Sequence, residues 1–207
     1  AFIDARELKA GIGIIGQALE GEHPGFFNWI KQKAAGGHFE FWNHGYDHKQ
    51  WQEDGRRLCE FSGSTLEHQR EHFDATQRLA REKLGLVLTA FGAPFNATDT
   101  NTVTVLREHP EVTVWIYGDA TSTAGKFVAK REFKLNLETP VLNPNYDAFV
   151  RGWNAGPVPA LLVLQGHPPY WTEAQFSEFV RIVDFLQQHY VRFAFPSELP
   201  PAAANSR

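Results

Sequence analysis

The chain has 207 residues and a formal charge of −4, from 24 acidic and 20 basic side chains. That length suits one domain with a sizeable core, and the absence of a basic stripe argues against nucleic acid as a partner. A single cysteine, Cys59, rules out an internal disulfide and a cysteine-built zinc ribbon and reads as an inert thiol, and no apolar run has the length of a membrane span.

In chain order, GIGII (Gly11–Ile15) reads as a short buried strand, followed by a helix over FFNWIKQKAA. Gly36 and Gly37 end that helix, as glycine after a last turn commonly does. HFEFWN alternates as a strand does and delivers the chain to His44. The clearest helix starts at STLE, where Ser64 and Glu67 have capping-box spacing; Leu66, Phe73 and Leu84 supply apolar positions and Gly85 stops it. LVLTAF is then predicted as a strand, GAPFNATD as a loop, a short helix ends near His109–Pro110, and VTVWIY is a further strand.

Between Thr121 and Pro159, EFKLNLE is a candidate strand and the later prolines and glycines mark loops. ALLVLQ is predicted as a strand buried on both faces. TEAQFSEFVRIVDFLQQHY is predicted as a long amphipathic helix with Phe176, Phe179, Val180, Val183 and Leu186 along one side. VRFAF is the last predicted strand, and residues 200–207 form a flexible tail. There is no internal repeat or second-domain boundary, so residues 1–199 are expected to form one domain. Alternating strands and helices predict an α/β fold with a parallel sheet covered by helices, either open or closed into a barrel.

In such folds chemistry gathers at the C-terminal ends of strands. Those ends carry NHGYDH, GAPFN, GDATS and GHPPYW, with glycines that let the backbone bend towards a ligand. His44 and His48 share a face if their segment is helical, which suits ligation of one ion; the spacing alone equally suits ordinary polar or capping residues. His68 and His72 repeat the spacing inside an exposed-looking helix, and for them a solvated face is expected. His167 ends the most apolar run, either as a hydrogen-bonded structural histidine or as a general acid. Trp42, Trp51, Phe95, Tyr170 and Trp171 lie near these ends, where aromatic faces stack on sugar rings or belong to the core, the latter favoured for Trp42.

Together these strand ends resemble the polysaccharide deacetylase (NodB-homology) family. NHGYDH resembles its His-x-x-x-His metal motif, GAPFN its Arg-x-Pro-Tyr motif with Gly92 in the arginine position and Phe95 in the tyrosine position, and LQGHP its late Leu-x-His motif with one extra residue before His167. The resemblance implies a distorted (β/α)7-type barrel holding one divalent metal, usually zinc, and an enzyme that removes acetyl groups from N- or O-acetylated sugars. It makes His44 and His48 metal ligands and His167 the acid that protonates the leaving group, with Phe95, Asn96, Tyr170 and Trp171 as substrate contacts. Members carry a third ligand and the general base as an Asp-Asp pair on a first strand. The chain opens at Ala1 and contains no methionine, so that strand is expected upstream of Ala1. Alternatives are a catalytically inactive, deacetylase-like carbohydrate-binding protein, suggested by Gly92 and the absent aspartates, or a relative that hydrolyses a small amide.

Overall fold

The structure, a computed structural model, describes residues 1–119, 122–132 and 134–199. They fall into two compact units: Ala1–Val128 with the described residues from Phe193 on, and Ala129–Arg192. No helix among the described residues is long and apolar enough to cross a membrane.

The first unit opens with a single turn, α1 (Phe2–Ala5), and then β1 (Ala10–Ile14), α2 (Pro24–Ala35) and β2 (Phe39–Asn43). A hairpin of β3 (Gln50–Glu53) and β4 (Arg56–Cys59) follows, then α3 (Leu66–Leu79), β5 (Ala90–Gly92), α4 (Thr100–Glu108), β6 (Val114–Ile116) and β7 (Phe127–Val128). The five strands outside the hairpin form one parallel sheet in the order β1-β2-β5-β6-β7. This is the α/β arrangement expected, and its ladder is open among the described residues.

Strand alternation sorts β2 onto two faces. Phe41 and Asn43 are buried on the face that packs against helices, where two apolar clusters form. One gathers Phe61, Phe73, Phe91, Leu106 and Trp115; the other gathers Ile14, Leu19, Phe27, Ile30, Phe41 and Leu84. Each fully buried large side chain contributes roughly 2 kcal/mol through lost apolar surface. On the opposite face the neighbours of Trp42 are glycines. A methyl at Gly13 or Gly92 would stand 2.7 or 2.8 Å from the Trp42 ring, and one at Gly11 3.1 Å from it. The indole therefore occupies the space that side chains on β1 and β5 would fill.

Several local expectations change. The cap of α3 is Thr65, whose Oγ1 accepts the His68 N–H at 3.2 Å; the Ser64 hydroxyl instead donates to the Glu60 carbonyl. After Leu79 the helix widens into a π-type turn over Ala80–Leu84 and stops at Gly85, as expected. Of LVLTAF only the end enters the ladder, because the Leu86 N–H closes that turn on the Ala80 carbonyl.

The second unit contains α5 (Tyr146–Asn154), which sequence periodicity missed, and α6 (Glu173–Gln188). The α5 cap is Asn145, whose side chain accepts the Ala148 N–H at 2.9 Å. On α6 the buried face is Ile182, Val183 and Leu186, while Phe176 is exposed. ALLVLQ is half-buried and joins no ladder, because no strand of its own unit lies beside it among the described residues; VRFAF likewise joins none. EFKLNLE forms no strand in its described part, and its Phe133, like the predicted tail, lies outside the described residues.

Candidate functional site

Parallel strands point their C-terminal ends the same way, so β2 and its neighbour β5 deliver His44 and Phe95 to one edge of the sheet. The segment from His44 to His48 is a loop, not the helix turn on which their shared face was predicted. Left-handed backbone at Gly45 (φ 75°) and His48 (φ 55°) folds it back instead. The outcome is the juxtaposition the spacing suggested: the two imidazole rings lie 5.0 Å apart at 64°.

His44 Nδ1 sits 2.6 Å from the Gly92 carbonyl oxygen. A carbonyl only accepts, so Nδ1 carries the proton and, in the neutral ring, the lone pair is on Nε2. Trp42 packs edge-on beneath His44 at 5.0 Å. Phe95 lies 4.4 Å from the His48 ring and is 43% exposed. Phe95 and Asn96 both have positive φ, of 58° and 55°. Together with His48 they place non-glycine residues in strained conformations within one edge, as functional sites often do.

The loop backbone is held from several sides. Asn43, fully buried, accepts the Gly45 N–H at 2.9 Å. The Gly45 carbonyl accepts from the Gly16 N–H and the Thr76 hydroxyl, both at 2.9 Å, and the Tyr46 carbonyl from the Gln17 N–H. Glu60, also fully buried, accepts the N–H groups of Tyr46 and of His48, the latter at 2.9 Å, and lies 3.0 Å from His72 Nδ1. His72 is thus no solvated residue. Gln69, His72 and Thr76 recur at helical spacing along α3 and form a polar face that meets carboxylates and backbone carbonyls, which made the helix look exposed in sequence. His68 stacks on His72 at 3.9 Å, and burial, then His72 itself, hold its imidazole below the usual value.

Asp47, Glu60 and His72 also offer ligand atoms within 4.8 Å of one another. Their chemistry fits a hydrogen-bonded buttress better than an ion site. His72 Nδ1 donates to the Glu60 carboxylate, which leaves a lone pair on Nε2 alone, and both Glu60 oxygens already accept backbone N–H groups. Asp47 pairs with Lys49 Nζ at 3.0 Å. The His44–His48 pair brings two imidazoles together, with one ring nitrogen of His44 anchored on a carbonyl in the way that orients a metal-ligating histidine.

In the second unit His167 Nδ1 lies 2.7 Å from Glu138 Oε2, and the His167 N–H donates to Oε1 at 2.7 Å. The Trp171 indole and the Leu142 N–H each add a bond of 2.8 Å to this carboxylate, which is only 6% exposed. Burial alone would raise the Glu138 carboxyl, but the bonds from Leu142, His167 and Trp171 outweigh it and hold it below the usual range. Tyr170 is 70% exposed, whereas Trp171 packs on Phe179 at 5.2 Å. Neither Glu60 nor Glu138 was singled out from sequence. The signal for Glu60 was a carboxylate inside the apolar run LCEF; Glu138 closes LNLE in the same manner.

No protein-family model matches the chain, and no curated protein does. Solved structures do. A family 4 acetyl xylan esterase from Clostridium thermocellum in complex with a cobalt ion aligns at a TM-score of 0.63 and 12% identity, over 95% of this chain and 78% of that one. A family 4 carbohydrate esterase from Streptomyces lividans in complex with acetate aligns at 0.63 and 14%, over 96% and 87%. The fold is that of the family 4 carbohydrate esterases. A CE4 family pseudoenzyme from Bacillus anthracis also shares this esterase fold, at a TM-score of 0.58 and 13% identity over 92% of this chain and 54% of its own.

Proposed function

We propose that the protein is a metal-dependent hydrolase that removes acetyl groups from N- or O-acetylated sugars, with His44 and His48 holding one divalent ion, zinc by the chemistry of imidazole. The observation that carries this reading is the His44–His48 pair at 5.0 Å, with His44 Nδ1 anchored on Gly92, at a strand edge of an esterase fold. The cobalt ion in one similar structure supports the same class of metal.

When bound, such an ion polarises the acetyl carbonyl and lowers the pKa of its water. The chain's own residues do the rest. The Gly92 carbonyl holds His44 in one tautomer, and the exposed Phe95 offers an apolar face beside His48, with Asn96 next to it as a polar contact. His167 is the proton donor to the leaving amine or alkoxide: Glu138 keeps the Nδ1 proton in place, so exchange takes place at Nε2. Tyr170 offers an exposed ring to a sugar, and Trp171 ties the turn that carries it to Glu138.

A second reading, a non-catalytic carbohydrate-binding protein, is favoured by one feature. Trp42 lies against Gly92, the position where the family motif has arginine, and the space for a side chain there is filled.

The test is zinc stoichiometry and acetate release from an acetylated sugar by the zinc-loaded protein, in wild type and in His44→Ala and His48→Ala. Both variants are expected to lose bound zinc and acetate release together. Full zinc stoichiometry in both variants ends the metal assignment, and zinc-loaded wild type that releases no acetate favours the binding protein.

A further inference from the structure

We infer that Glu60 is a positioning residue: it sets the backbone of the His44–His48 loop in the metal-free protein, so that an ion meets two histidines already placed. The inference rests on the proposed metal role of those histidines.

The argument starts from what the loop requires. A chain that turns back within five residues leaves backbone groups outside any ladder, and each must find a partner or lose a hydrogen bond. The N–H groups of Tyr46 and His48 point at the fully buried Glu60. Glu60 supplies an acceptor for each, one per carboxylate oxygen. No neutral side chain of that size does the same, because an amide offers one acceptor oxygen and an NH2 group that only donates.

Three further features show that the carboxylate is built in. Glu60 is fully buried, at 0% exposure. His72 fixes its Oε1 from the helix side at 3.0 Å, and the Ser64 hydroxyl holds its backbone carbonyl at 2.8 Å. Gly45 lies so close that an added methyl would stand 2.8 Å from either carboxylate oxygen, at a φ of 75° that already disfavours any side chain. The residue after His44 is therefore glycine because the carboxylate approaches the backbone there.

His48 is the member of the pair that depends on this. Its backbone is left-handed, at φ 55°, a conformation that persists only when its surroundings over-determine it. The bond from its own N–H to Glu60 Oε2 is the anchor nearest that strain. Without the second acceptor the loop relaxes, and the His48 ring leaves its place 5.0 Å from His44.

The experiment uses the whole chain and Glu60→Gln, which keeps side-chain volume. Amide exchange is read by NMR in the metal-free proteins, and zinc affinity by competition with a chelating dye. Tyr46 and His48 amides are expected to exchange about 10-fold faster or more in Glu60→Gln, with the amides of Phe91 and Trp115 unchanged. Zinc Kd is expected to rise about 10- to 100-fold, the range for loss of an outer-shell partner. Equal exchange at Tyr46 and His48 in both proteins overturns the inference. So does a loss of zinc affinity without faster exchange, since that outcome makes Glu60 a direct ligand with Asp47 and His72. Wild type that takes up no zinc, while its loop still loosens in Glu60→Gln, sinks the metal reading and leaves the ordering role standing. Should Glu60→Gln not fold, His72→Gln removes one of the carboxylate's three donors and is expected to shift the same two amides by a smaller factor.

Discussion

Glu60 in the first unit and Glu138 in the second each lie beneath a histidine-bearing turn; Glu60 accepts two backbone N–H groups from it and Glu138 one. Glu60 meets His48 through the backbone alone, while Glu138 meets His167 through both backbone and ring. A carboxylate on the backbone decides where a residue stands. A carboxylate on the ring also decides which nitrogen keeps the proton, and in the first unit that second task falls to the Gly92 carbonyl on His44. A ligand and a proton donor need different things: the ligand needs a lone pair fixed in place, and the donor needs an imidazolium stabilised by a negative charge.

The largest effect that would break this contrast is at His167. His167→Ala is expected to keep zinc stoichiometry and to lower kcat on an acetamido sugar by roughly 100-fold or more. An activated acetyl ester should be affected far less, because its leaving group needs little protonation. Normal kcat on the acetamido sugar would remove His167 from the reaction.

Glu138→Gln sharpens the comparison further, since it is the counterpart of Glu60→Gln. A glutamine still accepts one hydrogen bond but no longer offers a charge to the ring. We expect kcat to fall by about 10-fold or more with zinc affinity unchanged, against a Glu60→Gln variant whose zinc affinity moves first. Matching profiles from the two variants would erase the distinction between placing a residue and setting its proton.

How much of this was legible in the sequence follows from what each feature depends on. The alternation in HFEFWN and the apolar spacing of TEAQFSEFVRIVDFLQQHY are local, and both elements appear where expected. The His44–His48 pairing was found for an incomplete reason: the rings do meet, but a left-handed loop brings them together, and its shape depends on Glu60, twelve residues past His48. Trp42 was expected in the core, but which glycines it covers depends on strand register. Polar faces misled most. Gln69, His72 and Thr76 look like a solvated helix face, yet they are buried or nearly so because they meet the carboxylates of Asp99 and Glu60 and the carbonyls of Ser64 and Gly45.

Glu138 also predicts an acid response. The folded carboxyl of Glu138 is held below the ordinary glutamate value of 4.5. A group lowered in this way stabilises the fold fully above its unfolded value, and that contribution fades as pH falls through the folded one. Wild type should therefore lose more stability on acidification below about pH 4.5 than Glu138→Gln, whose amide does not titrate. Urea unfolding at neutral and acid pH reads this. A gap between the two proteins that stays constant with pH would mean that the charge of Glu138 contributes nothing to the fold.

The smallest effect concerns how the first unit presents His72 to Glu60. The spacing of Ser64 and Glu67 predicted Ser64 as the cap of α3, but Thr65 Oγ1 takes the His68 N–H at 3.2 Å while Ser64 anchors the Glu60 carbonyl. The two hydroxyls are adjacent in sequence and serve different ends. Thr65→Ala removes one cap bond, at a cost of about 1 kcal/mol, and it should speed exchange of the His68 amide, which loses its acceptor. Ser64→Ala costs a comparable amount, about 1 kcal/mol for a neutral hydrogen bond, but through a different place. The His68 amide should be unaffected, and the Tyr46 and His48 amides should exchange slightly faster as Glu60 loosens. Both variants would look alike in a melting curve, so exchange at the three amides is the measurement that separates them. If Ser64→Ala exposes His68 and spares Tyr46 and His48, then Ser64 is the cap after all, and Glu60 is held without it.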